Sequence, residues 1–147
     1  MIEPYEEVLK KNGTLVFTPG GTSMMPLLRH HENPVVLMPV EGRLKKGDVP
    51  FYKRKDGQYV LHRIVKVRKD SYDLCGDNQV ILEKGVTDDM IFAKMVGFYR
   101  GDTYISVEDE TVVRYARRRM ASRKWRYLRQ KLAGLYRRIF KNKKTKT

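Results

Sequence analysis

Apolar positions along the chain follow two different periods, and the change between them divides the sequence. Thr14–Thr18, Val35–Met38, Asp48–Arg54, Tyr59–Arg68, Ser71–Cys75, Met90–Arg100 and Thr103–Val107 are short runs rich in β-branched and aromatic residues. Turn signals separate them, which predicts strands. Lys55-Asp56-Gly57-Gln58 reads as a hairpin loop, its Asp-Gly pair supplying a positive φ, and Arg100-Gly101-Asp102 as a second. Ahead of the strands, Tyr5, Val8 and Leu9 fall on one side of a short helix over Met1–Gly13, with Gly13 as its stop. From Val112 the period lengthens. Trp125, Leu128, Leu132, Leu135, Tyr136 and Ile139 recur at i, i+3, i+4 spacings and share an arc of about 100°. Arg and Lys fill the remaining surface. The pattern predicts a mostly-β domain over residues 1–111, then a basic amphipathic helix over 112–147 that frays from Lys141.

Charge sharpens this division. The net charge of +14 suggests nucleic acid until it is apportioned. Residues 112–147 hold 15 Lys/Arg and no Asp or Glu, leaving 16 basic against 17 acidic residues in the first 111. The excess belongs to the tail, and the body is close to neutral. With 147 residues, 41% of them hydrophobic, the chain suits one compact domain with an appendage. A single cysteine, Cys75, forms no internal disulfide and no four-cysteine zinc site, which fits a reducing compartment. The acidic start, Met1 to Glu7, has no apolar stretch and does not read as a signal peptide. No run of about 18 apolar residues suggests a membrane span.

Three residues carry candidate chemistry. Pro19-Gly20-Gly21-Thr22-Ser23-Met24-Met25-Pro26 places a serine on a glycine-rich turn, from which its hydroxyl and N–H can face a substrate carbonyl. By itself, a serine beside glycines is a loop residue. His62 shares a strand face with Val60 and Ile64, and such a histidine is by default a hydrogen-bonded core residue. Its ordinary pKa near 6.5 also suits a general base. Asp77, in Cys75-Gly76-Asp77-Asn78, reads as a turn residue or as a carboxylate orienting His62. His30, His31 and Glu32 read as a polar loop. No zinc-ligand pattern and no phosphate-binding glycine loop is present. Cys75 reads as a buried, inert thiol with no basic neighbour in sequence.

Taken together, these segments resemble the type I signal peptidase superfamily. Ser23-Met24-Met25-Pro26 is similar to its nucleophile box, and Leu44-Lys45-Lys46-Gly47-Asp48-Val49 to the Gly-Asp box that follows. Leu61-His62-Arg63-Ile64-Val65 is similar to the general-base strand, and Gly76-Asp77-Asn78 to the last box. The four stand in the family order across Thr18 to Gly97. Histidine at the base position, rather than lysine, resembles the endoplasmic-reticulum, archaeal and spore-former type. The resemblance implies a mostly-β fold with coiled sheets around the serine. It also implies a serine endopeptidase that cleaves leader or signal-like peptides through an acyl-enzyme, without a cofactor or metal. Ser23 is then the nucleophile, His62 the base and Asp77 the third residue, with Asp88 and Asp89 as alternatives. Gly21, Thr22 and Met24 form the oxyanion and substrate-binding side. Two departures stand out: no membrane-spanning anchor is evident, and Gly21 offers no side chain as a second oxyanion donor.

The basic helix admits three readings. It can lie on an anionic membrane through Trp125, Leu128, Leu132 and Ile139, track nucleic-acid phosphates, or pack its apolar stripe on its own sheet. The first is favoured, because tryptophan lies on the apolar arc and no nucleic-acid recognition module accompanies the helix. The expected partners are an extended leader peptide and a membrane surface. The expected location is the cytoplasm, with peripheral attachment at the inner face of the membrane. The rival functions are an inactive interaction domain tethered by this helix, and a repressor-type autoprotease, which the missing helix-turn-helix and base lysine disfavour.

Overall fold

The computed structural model describes residues 3–144 and the side chains through Lys141. The predicted first helix is shorter than its pattern. Helix α1 is Tyr5–Asn12, preceded by Pro4 and closed by Gly13 in the left-handed conformation (φ 71°), whose N–H donates to Leu9 O. Nine strands follow: β1 (Leu15–Phe17), β2 (Val35–Pro39), β3 (Pro50–Lys53), β4 (Tyr59–Leu61), β5 (Arg63–Val67), β6 (Tyr72–Cys75), β7 (Glu83–Val86), β8 (Ile91–Arg100) and β9 (Thr103–Ser106). Helix α2 occupies Glu110–Lys144. Both predicted hairpin loops form, with positive φ at Gly57 and Gly101.

The larger sheet runs β1-β2-β8-β3-β4, with β9 also on β8, and every pairing is antiparallel. Bulges between Val36 and Leu37, and between Phe51 and Tyr52, bend it. The result is a curled half-barrel with β1 and β4 at the two ends of its main path. A smaller antiparallel sheet runs β5-β6-β7.

The fold corrects the sequence reading at several points. Tyr59–Arg68 reads as one strand but is two. The chain leaves the large sheet at Leu61 and enters the small one at Arg63, so His62 sits at the crossover. Val60 and Ile64, which flank it, both enter the second core. Strand β7 has no alternating pattern and is recruited by tertiary pairing, Val86 opposite Tyr72 and Glu83 opposite Leu74. "Mostly β" becomes mixed, because strands make up 30% of the described residues while α2 alone contributes 35 residues of helix.

Two cores result. One fills the half-barrel beneath α1, where Phe51 meets Tyr5, Phe17, Tyr59 and Phe92 at ring-centroid distances of 5.0–5.7 Å. The other joins the two sheets through Tyr52, Ile64, Tyr72 and Leu74, all fully buried.

Helix α2 starts two residues earlier than the apolar pattern suggests. Asp109 caps it, accepting the Thr111 N–H at 2.8 Å. Val112 and Ala116 are buried against the body. Two turns further, contact passes to arginines: Arg123 Nη1 donates to Val80 O (2.8 Å) and Arg126 Nη1 to Gln79 O (3.0 Å). The helix remains regular beyond Lys141, where fraying is predicted, as far as Lys144; residues 145–147 lie outside the described residues. Among the described residues no helix is long and apolar enough to cross a membrane.

Candidate active site

The serine loop owes its shape to contacts with two other segments. Gly21 takes a φ of 88°, a conformation that costs other residues more than glycine. Its N–H donates to His30 Nδ1 at 2.7 Å, and His31 N–H donates to Pro19 O at 3.2 Å. The two histidines therefore hold the loop from behind. Among the described residues no group of three or more His, Cys, Asp or Glu is placed to hold a metal ion. From the other side, Asn78 N–H donates to Ser23 O at 2.8 Å. That approach depends on Gly76, where an added Cβ would lie 2.6 Å from the Ser23 carbonyl oxygen. The last box and the serine box thus touch through backbone.

Gly76→Ala is expected to separate them. The obstruction is backbone, so relief requires one segment to move, at a cost of about 1–3 kcal/mol. A lowered thermal midpoint is the expected result; an unchanged midpoint would show that the contact carries no weight.

Ser23 and His62 line one cleft of about 550 Å3. Its walls come from the two edges of the half-barrel: Phe17, Gly20 and Gly21 continue from β1, and Tyr59, Val60 and Leu61 belong to β4. Met24 also lines it. Thr22 is exposed on the same turn, and its carbonyl accepts from Met25 N–H. A second cleft of similar size begins at His62, Arg54 and Gln79 and passes Ile81 and Glu83 to Gln130 of α2.

His62 is 6% exposed. Its Nδ1 lies 3.5 Å from the Tyr52 hydroxyl and 3.8 Å from Glu83 Oε2. Tyr52 donates its one hydroxyl proton to Glu83 Oε2 at 2.5 Å, so the shared hydrogen bond has His62 Nδ1–H as donor. This tautomer leaves the Nε2 lone pair unprotonated. Arg54 grips Glu83 with two bonds, Nε to Oε1 at 2.7 Å and Nη2 to Oε2 at 2.8 Å. Arg54 is accordingly the main reason the Glu83 carboxyl stays below its ordinary pKa. Burial pushes His62 below its usual 6.5, against the opposing pull of Glu83. Burial first, then Glu83, raises the Tyr52 phenol.

No protein-family model and no curated protein matches this chain.

The sequence reading and the geometry part company over the acidic residue. Asp77, proposed to orient His62, forms a paired interaction with Arg63: Nε to Oδ1 and Nη2 to Oδ2, both 2.8 Å. Tyr115 of α2 donates to Asp77 Oδ2 at 3.0 Å, and Arg63 Nη1 donates to Gly47 O at 2.9 Å. Asp77 therefore ties the last box to the Gly-Asp box and to α2, and acts on His62 only as a more distant negative charge. Asp88 accepts from Tyr72 and Arg43, and Asp89 from Thr87. The carboxylate within ion-pair range of His62 is Glu83. Nothing in the sequence around Glu83 marks it, since β7 lacks a strand pattern.

The oxyanion side is also revised. Gly21 N–H is committed to His30, whereas the N–H groups of Thr22, Ser23 and Met24 have no acceptor among the described residues. Cys75 is buried, and burial raises its thiol pKa even though Arg123 and Arg126, distant in sequence, lie near enough to oppose that.

Proposed function

We propose that this chain is a serine peptidase of signal-peptidase type, with Ser23 as nucleophile and His62 as general base. One observation carries the reading: a turn serine and a neutral, Nδ1-anchored histidine line the same cleft between two sheet edges. Open edges suit an extended peptide, whose backbone can pair with β1 or β4 while its scissile bond reaches Ser23.

In the first step Ser23 Oγ attacks the scissile carbonyl carbon and its proton passes to His62 Nε2. The carbonyl π electrons move to oxygen, where the Ser23 N–H donates to the oxyanion. The tetrahedral intermediate collapses, the C–N bond breaks, and His62 gives its proton to the departing amine. Water then loses a proton to His62 and attacks the acyl carbon. The second collapse releases the acid and returns the proton to Ser23 Oγ. Tyr52 and Glu83 hold the ring in the required tautomer and stabilise the transient imidazolium. Ser23 and His62 form no hydrogen bond in the free protein, so substrate binding must bring them to about 3 Å.

A fluorophosphonate probe tests the reading directly. Intact protein is expected to carry one adduct, mapped by mass spectrometry to Ser23. The labelling rate should rise with pH along a single limb whose midpoint lies below the ordinary histidine value of 6.5, because burial favours neutral His62. It should then level off. Labelling elsewhere, or a rate that does not vary between about pH 5 and 8, counts against a histidine base.

A further inference from the structure

We infer that the C-terminal half of α2 is an anchor for an anionic lipid surface. The helix is about 52 Å long at 1.5 Å per residue, and Arg126, which bonds the body, lies in its fifth turn. From Trp125 onward its apolar stripe stays in water: Trp125 is 62% exposed, Leu132 56%, Tyr136 62% and Ile139 51%. Packing of this stripe on the chain's own sheet, one of the three sequence readings, therefore does not occur.

Helical geometry explains why. At about 100° per residue, Val112, Tyr115, Ala116 and Arg123, which face the body, cluster on one side of the helix. The stripe from Trp125 to Ile139 lies roughly opposite. The apolar surface points away from the domain that would otherwise cover it.

Three occupants are conceivable, and charge selects among them. A second copy would bring another strongly basic helix, with no acid after Glu110, against the first. Nucleic acid would engage the cations but leave tryptophan, leucines and isoleucine in water. An anionic bilayer satisfies both faces, burying the stripe at the headgroup boundary while Lys124, Arg129, Lys131 and Arg138, flanking it, meet lipid phosphates.

The root of the anchor bears on the site. Arg126 holds the carbonyl of Gln79, and Gln79 lines both clefts at His62. A lipid-bound α2 keeps the cleft close to the surface, favouring peptides that are themselves membrane-associated. This last consequence rests on the peptidase reading; the lipid contact does not, so its failure leaves that reading standing.

The chain's single tryptophan is the probe. The full chain is titrated with vesicles of phosphatidylcholine containing about one-third phosphatidylglycerol, and with phosphatidylcholine alone. Trp125 emission should move to shorter wavelength, and the protein should co-sediment, with affinity at least on the order of tenfold higher for the anionic vesicles. Leu132→Gln with Ile139→Gln, both at exposed positions, should weaken partitioning by on the order of tenfold or more while leaving the circular dichroism spectrum unchanged. Four results overturn the inference: no emission shift and no co-sedimentation; equal binding to neutral vesicles; a lipid-free shift that grows with protein concentration, which indicates self-association; or duplex DNA displacing the vesicles with the double variant unaffected.

Discussion

Ser23→Ala is expected to lower peptide turnover by about three to six orders of magnitude, and His62→Ala by a comparable factor. The double variant should lose little more than either single one. The reason is mechanical: once Oγ is gone, His62 has no proton to take, and once the base is gone, Oγ is a weak nucleophile. Turnover of a pooled fluorogenic peptide set by the purified variants measures both. Losses that multiply in the double variant would mean two independent roles and would sink the pairing of these residues. Glu83→Gln belongs to the same test. It removes the charge behind Tyr52 and releases Arg54, and the ring then loses its fixed tautomer, at a cost of about 10²–10⁴-fold in turnover. Binding of substrate should change far less than the chemical step.

The sequence exposed the strands and the helix because their periods are local properties. Val35–Met38 and Thr103–Val107 are rich in β-branched, aromatic and other apolar residues between turn signals, and all but one of the strands coincide with a predicted run, β2 running one residue past its own. It pointed to Ser23 and His62 as candidates because each stands in a short segment with distinctive neighbours: glycines before the serine, apolar residues on both sides of the histidine and its arginine. The crossover at His62 was not legible, because Tyr59–Arg68 contains no glycine, proline or other turn signal to divide it. Only the identity of the pairing partner, β3 before the histidine and β6 after it, breaks the strand. Glu83 was hidden for a related reason. Its role comes from Leu74 and Tyr72 drawing Glu83–Val86 into the small sheet, a contact made between residues 9 or more positions apart. Asp77 was legible as important but not for what. Its box looks the same whether the carboxylate faces an imidazole or a guanidinium, and only three-dimensional placement of Arg63 decides.

That placement leads to the largest stability effect expected in the molecule. Asp77 and Arg63 are 3% and 4% exposed, with two bonds between them, and the pair also gathers Tyr115 and the Gly47 carbonyl. Asp77→Ala strands a guanidinium in the interior, and breaking such a pair costs about 3–5 kcal/mol, a large share of the 5–15 kcal/mol typical of a domain. The urea midpoint should fall accordingly. Tyr115→Phe, which removes one bond to a carboxylate that keeps its arginine, should cost only about 1–3 kcal/mol. Replacing both charged partners with apolar residues of similar volume should recover much of the loss, since neither charge is then left alone. The residue's two candidate roles make opposite forecasts. If Asp77 is structural, an Asp77→Asn protein held below its unfolding transition phosphonylates Ser23 at close to the parent rate, while Glu83→Gln does not. If instead Asp77→Asn leaves the urea midpoint in place and abolishes labelling, the aspartate orients His62 after all, and Arg63 is its support rather than its purpose.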